Sequence, residues 1–454
     1  MTTRNLLPDF TTGSIPKHLL EFAAPLFFSN LLQIVYNMVD MVSVGQKIGQ
    51  SGLSAVSIGG DVSHFLTFFA MGFSSAGQVI ISQYVGSKQT EKIGRFIAAM
   101  VSALAVSAVL ISGVCLYFRK SILNLMNTPP EAYSGALAYS TVCMMGLLFI
   151  YGYNAMSAIL RGLGDAKHPF IFISIAAVLN VLLDLAFVHM LDMGCEGAAV
   201  ATVISQSVSF LLSAVFFIRK RKTFCIQISL ASFREIEKSM LASLFKLGLP
   251  MAIKSAAVQL SKLSVNSWIN TYGVSISAVS GIGGKINSLS SLVANAANAA
   301  GSTIVAQNIG AKKFDRVPKI MGSIAAATLG TAVIMSSVLL FFPKAVFGIF
   351  TNEPEVLRYA MEYLPVAVMI FYGTALRSPM NALIDGSGNY KVNFMTALLD
   401  GIVMRIGLAV LLGYVLDYGY MGFWMGDVLA GFTPVLIGTV YAVSGKWKKG
   451  IVEG

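Results

Sequence analysis

Long apolar runs separated by short polar joints fill most of this 454-residue chain. About twelve of them reach the roughly 20 residues that an α-helix needs to cross a hydrocarbon core of about 30 Å. They lie near 19–44, 53–83, 96–118, 132–156, 168–190, 196–218, 241–270, 275–307, 318–342, 357–380, 391–415 and 419–444. Backbone facing lipid must satisfy its own hydrogen bonds, so runs of this length predict helices. Several exceed the minimum, which predicts tilted or bent helices. The pattern predicts an all-α polytopic membrane protein.

The polar joints carry orientation. Arg4 and Lys17; Lys88, Lys92 and Arg95; Arg161 and Lys167; Arg219 to Lys222; Lys312, Lys313, Arg316 and Lys319; Lys391; and Lys446, Lys448 and Lys449 mark every second joint. The alternate joints are poorer in bases, Arg119 and Lys120 excepted. By the positive-inside rule both termini face the cytoplasm. The first span serves as an uncleaved insertion signal, and the expected location is the cell (plasma or inner) membrane.

Composition agrees: 56% of residues are hydrophobic and 12% charged, against about 25% charged in soluble domains. The net charge of +11 sits in the joints, so it reports topology and not nucleic-acid binding. Cys115, Cys143, Cys195 and Cys225 are scattered, without disulfide or zinc spacing. No D-D-x-x-D, H-E-x-x-H or G-x-S-x-G motif supports an intramembrane enzyme, and no P-loop supports an ATP-driven pump. No cofactor is expected.

The chain repeats itself. Pro25 in FAAPLFFSNLLQIVYNMVD falls on Pro250 in LGLPMAIKSAAVQLSKLSVN. LSAVSIGG (53–60) matches ISAVSGIGG (276–284), SQYVGSK (82–88) matches AQNIGAK (306–312), and LRGLGDAKHPF (160–170) matches IDGSGNYKVNF (384–394). The organisation predicted is an N-terminal six-helix lobe over 1–222, a cytoplasmic linker over 223–239 and a C-terminal six-helix lobe over 240–454. Six spans per half make the repeats parallel, which places a substrate cavity in a central cleft between two pseudo-symmetric bundles. The glycine pairs Gly72/Gly77 and Gly281/Gly284 are expected to allow close helix approach.

With these residues in view, the chain resembles the multidrug and toxic compound extrusion (MATE) family over essentially its whole length. The resemblance rests on Pro25…Asp40-x-x-x-Val44-Gly45, on Ser82-Gln83…Gly86, and on Arg161-Gly162-x-Gly164-Asp165-x-Lys167. The echoes Gln307…Gly310 and Gly386-x-Gly388-x-x-Lys391 complete it. It implies multidrug efflux by secondary antiport, in which inward sodium or proton flow drives a small-molecule substrate outward by rocking alternating access. A monomer in contact with membrane lipid is expected.

Asp40 stands inside the first span with no base beside it in sequence, and a carboxylate there costs roughly 2.5–3.5 kcal/mol. It therefore marks a water-filled cavity, an ion or a proton path, the alternative being a helix cap or a side chain that snorkels to the surface. Asn180 and Asp184 in NVLLD are four apart, on one helix face. Counting a rise of about 1.5 Å per residue from the span ends puts Asp40, Asp184, Thr202 and Tyr139 at similar depth in the outer half of the bilayer. Two carboxylates, an amide and hydroxyls suit either Na+ or a proton shared by a carboxylate pair. The family branch with coupling acids in the N-terminal lobe resembles this set at Asp40, Asn180, Asp184 and Thr202.

The second half differs in charge. Its spans hold Lys254, Lys262, Lys285, Arg377 and Arg405, with Asp400 as a lone acid, whereas the first half holds Asp40, Asp61 and Asp184 with His64. Buried charges seek partners, and Asp61 aligns with Lys285, which predicts that they meet across the cleft. Lys254, Lys262, Lys285, Asp61, His64 and Arg405 are the cavity and substrate candidates. Organic cations are the substrates the resemblance implies. The bases leave open an exporter of anionic or zwitterionic metabolites, or a lipid-linked oligosaccharide flippase.

Overall fold

The computed structural model of the chain describes residues 8–224, 226, 232–233 and 236–451. The described residues form helices throughout. In order these are α1 (Ile15–Ile48), α2 (Gln50–Gly86), α3 (Thr90–Leu125), α4 (Pro130–Met145) and α5 (Leu147–Gly162). Then follow α6 (Lys167–Met190), α7 (Gly194–Lys220), α8 (Lys238–Asn270), α9 (Val274–Gly310), α10 (Phe314–Phe341), α11 (Pro354–Ser387), α12 (Tyr390–Val415) and α13 (Gly419–Ser444). Ten are long and apolar enough to cross a membrane, and α4 with α5, bent by 53°, make an eleventh span. The remaining long helix, α9, has 37 residues but is rich in Ser, Asn and Gly, so apolarity alone does not select it. It completes twelve spans at the positions expected. Most helices outrun their hydrophobic runs because the helix continues into polar flanks after the apolar stretch ends.

The expected fourth span is the one that breaks. Gly146 ends α4, and a β-carbon there would lie 2.5 Å from a methyl of Val203 on α7. The absent side chain thus lets the bend rest directly on its neighbour.

The repeats share backbone devices as well as residues. Lys88 and Lys312, which terminate α2 and α9, both adopt a left-handed φ of 58°. Gly164 and Gly388 are left-handed too, at 90° and 71°. Each glycine precedes a side chain that caps the next helix. The Asp165 carboxylate accepts from the His168 backbone N–H at 3.1 Å, and the Asn389 amide oxygen accepts from Lys391 and Val392 at 3.2 and 3.3 Å. The match between 160–170 and 384–394 is a helix-stop, helix-start element used twice.

By packing, one compact unit holds Phe28–Leu249 and the other holds Phe10–Phe27 together with Pro250–Gly454. This division departs from the boundaries at 222 and 240, because the first part of α1 belongs with the second unit and the first part of α8 with the first. Both changes of membership fall beside an internal proline, Pro25 and Pro250, where a backbone N–H is missing from the helix ladder. Most of the linker expected over 223–239, Cys225 included, lies outside the described residues.

In the second unit the chain before α1 is tied down polar group by polar group. The Phe10 N–H donates to the Gln307 side chain at 3.2 Å, and its carbonyl accepts from Asn308 at 3.1 Å. Lys313 donates to the Thr11 carbonyl at 2.9 Å, and Arg316 to that of Gly13 at 3.1 Å. Gln307 is the glutamine of the AQNIGAK repeat, so that motif earns part of its place by holding this strap.

Helix approach is closest where α12 meets α13. A β-carbon on Gly422 would sit 2.4 Å from the Leu412 carbonyl oxygen, and one on Gly426 2.6 Å from the backbone of Ala409. Backbone cannot swing aside as a side chain can. Gly422→Ala or Gly426→Ala is therefore expected to cost about 1–3 kcal/mol and lower the melting temperature of purified protein. Gly407→Ala on exposed α12, with open space around it, is expected to be neutral or to stabilise by up to about 1 kcal/mol. Equal melting temperatures for all three would refute the close-packing account. The expectation for Gly281 and Gly284 is corrected: both face open space, and the glycine that permits contact is Gly283, whose β-carbon would meet the Tyr363 ring at 2.4 Å. Gly77 does pack closely, against Met100.

Candidate functional site

In the first unit, three helices bring polar side chains to one buried point. Asp40 on α1, Asn180 and Asp184 on α6 and Thr202 on α7 are the residues, and Asp40, Asn180 and Asp184 are at most 3% exposed. The Thr202 hydroxyl donates to Asp40 at 3.2 Å, and the Asn180 amide lies 3.4 Å from the same hydroxyl. The Asp184 carboxyl lies close enough to Asp40 for the two charges to interact. Tyr139 is buried on α4 beside the cluster. Asp184 is the last α-helical residue of α6 before a π-helical stretch, Leu185–Met190; such stretches recur at functional sites.

The donor set is unbalanced. Asp40 Oδ1, Asn180 Oδ1 and both Asp184 oxygens are buried without a hydrogen-bond donor among the described residues. Neither carboxylate forms an ion pair with any described Lys, Arg or His. Two buried carboxylates side by side are costly without a compensating positive charge. Hard oxygen donors of this kind fit Na+ or a proton.

Two further residues join the cluster. Gln206 on α7 donates to the Tyr36 hydroxyl on α1 at 3.3 Å, and the Gln206 carbonyl oxygen is itself buried without a donor. Tyr36 lies one helical turn before Asp40 and Gln206 one turn after Thr202, so i, i+4 spacing was the signal that could have found them.

The second unit has a polar core of opposite construction. Arg405, 1% exposed, donates to Asp400 at 3.0 Å and to the carboxylate of Asp427. The reading of Asp400 as a lone acid is therefore corrected. Asp427 on α13 shares its arginine, and Asp385 on α11 forms an ion pair with Lys254 at 3.7 Å. Lys254 also donates to Asn381 at 2.9 Å. Lys262, Arg377 and Arg405 line a small cavity together with Asp427. Asp61 and His64 are exposed on α2, His64 with its ring edge against Phe68, and Lys285 is exposed on α9.

The MatE family profile matches residues 25–186 and 250–411, one block in each repeat. Among curated relatives, the chain is 27% identical to "Probable multidrug resistance protein YpnP" of Bacillus subtilis, covering 97% of both chains. It is 26% identical to "Probable multidrug resistance protein YoeA" of the same organism, covering 93% of this chain and 92% of the relative. Among solved structures, "Crystal structure of MATE in the bent conformation" superposes with a TM-score of 0.89 at 22% identity, covering 96% of each chain.

Proposed function

Since the chain belongs to the multidrug and toxic compound extrusion family of multi-pass membrane transporters, we propose that it is a secondary active antiporter exporting small organic compounds, cationic or amphiphilic, in exchange for Na+ or H+. Alternating access carries the exchange, in the cell membrane, with both termini cytoplasmic. The observation that supports this reading is the set of buried oxygens on Asp40, Asn180 and Asp184 that no donor or cation among the described residues satisfies. A site so built is stable only with a proton or a small hard cation in it, and that requirement ties its occupancy to an ion gradient.

Purified protein in proteoliposomes, loaded with a fluorescent organic cation, supplies the test. An imposed Na+ gradient or an imposed pH gradient, each directed opposite to dye movement, is expected to accelerate dye transport several-fold. Whichever gradient does so names the coupling ion. Indifference to both gradients would refute antiport.

A second reading, export of anionic or zwitterionic metabolites, draws on one observation. Neither Lys262 nor Arg377 forms a hydrogen bond or ion pair with a described residue. A fluorescent organic anion in the same vesicles separates the two readings: transport of the anion and not the cation would select the second.

A further inference from the structure

The two repeats place polar clusters on matching elements. Five residues after Gly197 on α7 stands Thr202, and five after Gly422 on α13 stands Asp427. Each cluster also abuts a π-helical stretch, Leu185–Met190 in one unit and Leu399–Val403 in the other. Their charge balance is opposite. The first cluster is two carboxylates with no cation paired to them among the described residues. In the second, two carboxylates, Asp400 and Asp427, face three cations, Lys262, Arg377 and Arg405, and one positive charge is left over.

That excess charge has a place to be met. A cavity of about 30 Å³ is lined by Lys262, Arg377, Arg405, Asp427, Thr374 and Asn287, all from the second unit. The cavity has room for a small number of waters, which admits a monatomic anion or the carboxylate end of a larger solute. The Arg405 Nε–H is buried with no acceptor, while its two other nitrogens are engaged by Asp400 and Asp427. Lys262 and Arg377, both half-buried, line the cavity itself and make no hydrogen bond to a described residue. Asp427 is the one carboxylate in the lining, and an oxygen of it is already held by Arg405. Grouping three cations around two carboxylates leaves like charges that an anion between Lys262 and Arg377 would relieve.

We propose that this cavity binds one compact monovalent anion, of chloride size, held by Lys262 and Arg377. The anion closes the charge balance of the second unit as an external cation does in the first. The site stands on its own geometry and does not depend on the transport reading.

Full-length protein purified in sodium gluconate and titrated with radiolabelled chloride tests it. Saturable binding of about one chloride per chain is expected. Arg377→Gln and Lys262→Met are each expected to weaken it at least roughly tenfold, the scale of losing one charged hydrogen bond, whereas Asp184→Asn in the other unit binds as wild type. Chloride is also expected to raise the melting temperature of the wild type by about three degrees at saturation, and that of Arg377→Gln not at all. This second measurement uses folded protein in both arms, so a variant that fails to fold cannot pass for loss of the site. Competition by bromide alone would assign the site to free halide, and competition by acetate as well would admit the carboxylate end of an organic solute. Absence of saturable chloride binding in the wild type, or equal binding in Arg377→Gln, would overturn the proposal.

Discussion

Asp184→Asn is expected to uncouple transport from its ion gradient while leaving the protein folded. Both oxygens of Asp184 are buried without donors beside Asp40. Replacing one carboxylate by an amide removes the negative charge that demands an external cation, and the new N–H₂ can donate to Asp40. Gradient-driven export in proteoliposomes should fall by about 5–150-fold, the range that corresponds to a coupling free energy of about 1–3 kcal/mol. The melting temperature should hold or rise, since two like charges in one site repel. Asp40→Asn should behave in the same way, and the double variant should be no worse than either alone, because the two act as one site. Export that keeps its ion dependence in Asp184→Asn would sink the assignment. Loss of folded protein would instead make Asp184 structural.

Arg405→Met is expected to act on stability. Its guanidinium is the bonded partner of two buried carboxylates, Asp400 and Asp427. Removing one member of a buried ion network strands the others and typically costs about 3–5 kcal/mol. The variant should aggregate on size-exclusion chromatography or melt far below wild type. Neutralising the stranded acids, as in Arg405→Met with Asp400→Asn and Asp427→Asn, should recover much of the loss, because amides can be buried at lower cost than carboxylates. A single variant as stable as wild type would mean that Lys262 and Arg377 neutralise both acids unaided.

Much of this architecture was legible in the chain. Span positions follow from the length of the apolar runs, and the repeat follows from short matched strings whose shared backbone turns, at Lys88 and Lys312 or Gly164 and Gly388, account for their similarity. Asp40, Asn180, Asp184 and Thr202 could be read because polar side chains are rare within spans. Asp427 escaped because it lies in a glycine-rich apolar stretch, GYMGFWMGDVLAGF, and Asp385 because it abuts a turn. Pairing was the harder matter. Which of five bases meets which acid depends on helix rotation and on π-helical stretches, and neither leaves a mark on hydropathy. The exchange of the first parts of α1 and α8 between packing units falls at the matched prolines Pro25 and Pro250, but hydropathy, which runs on through both helices, gives no sign of it.

The strap before α1 also sets a timetable. Phe10 is bonded by Asn308, which lies 298 positions later in the chain. At about 5–20 residues per second of synthesis, that partner leaves the ribosome about 15–60 s after Phe10 does. The N-terminal segment must therefore wait, unpaired, through the making of most of the protein. A truncated product ending before residue 308 would lack the Asn308, Lys313 and Arg316 bonds that hold this segment.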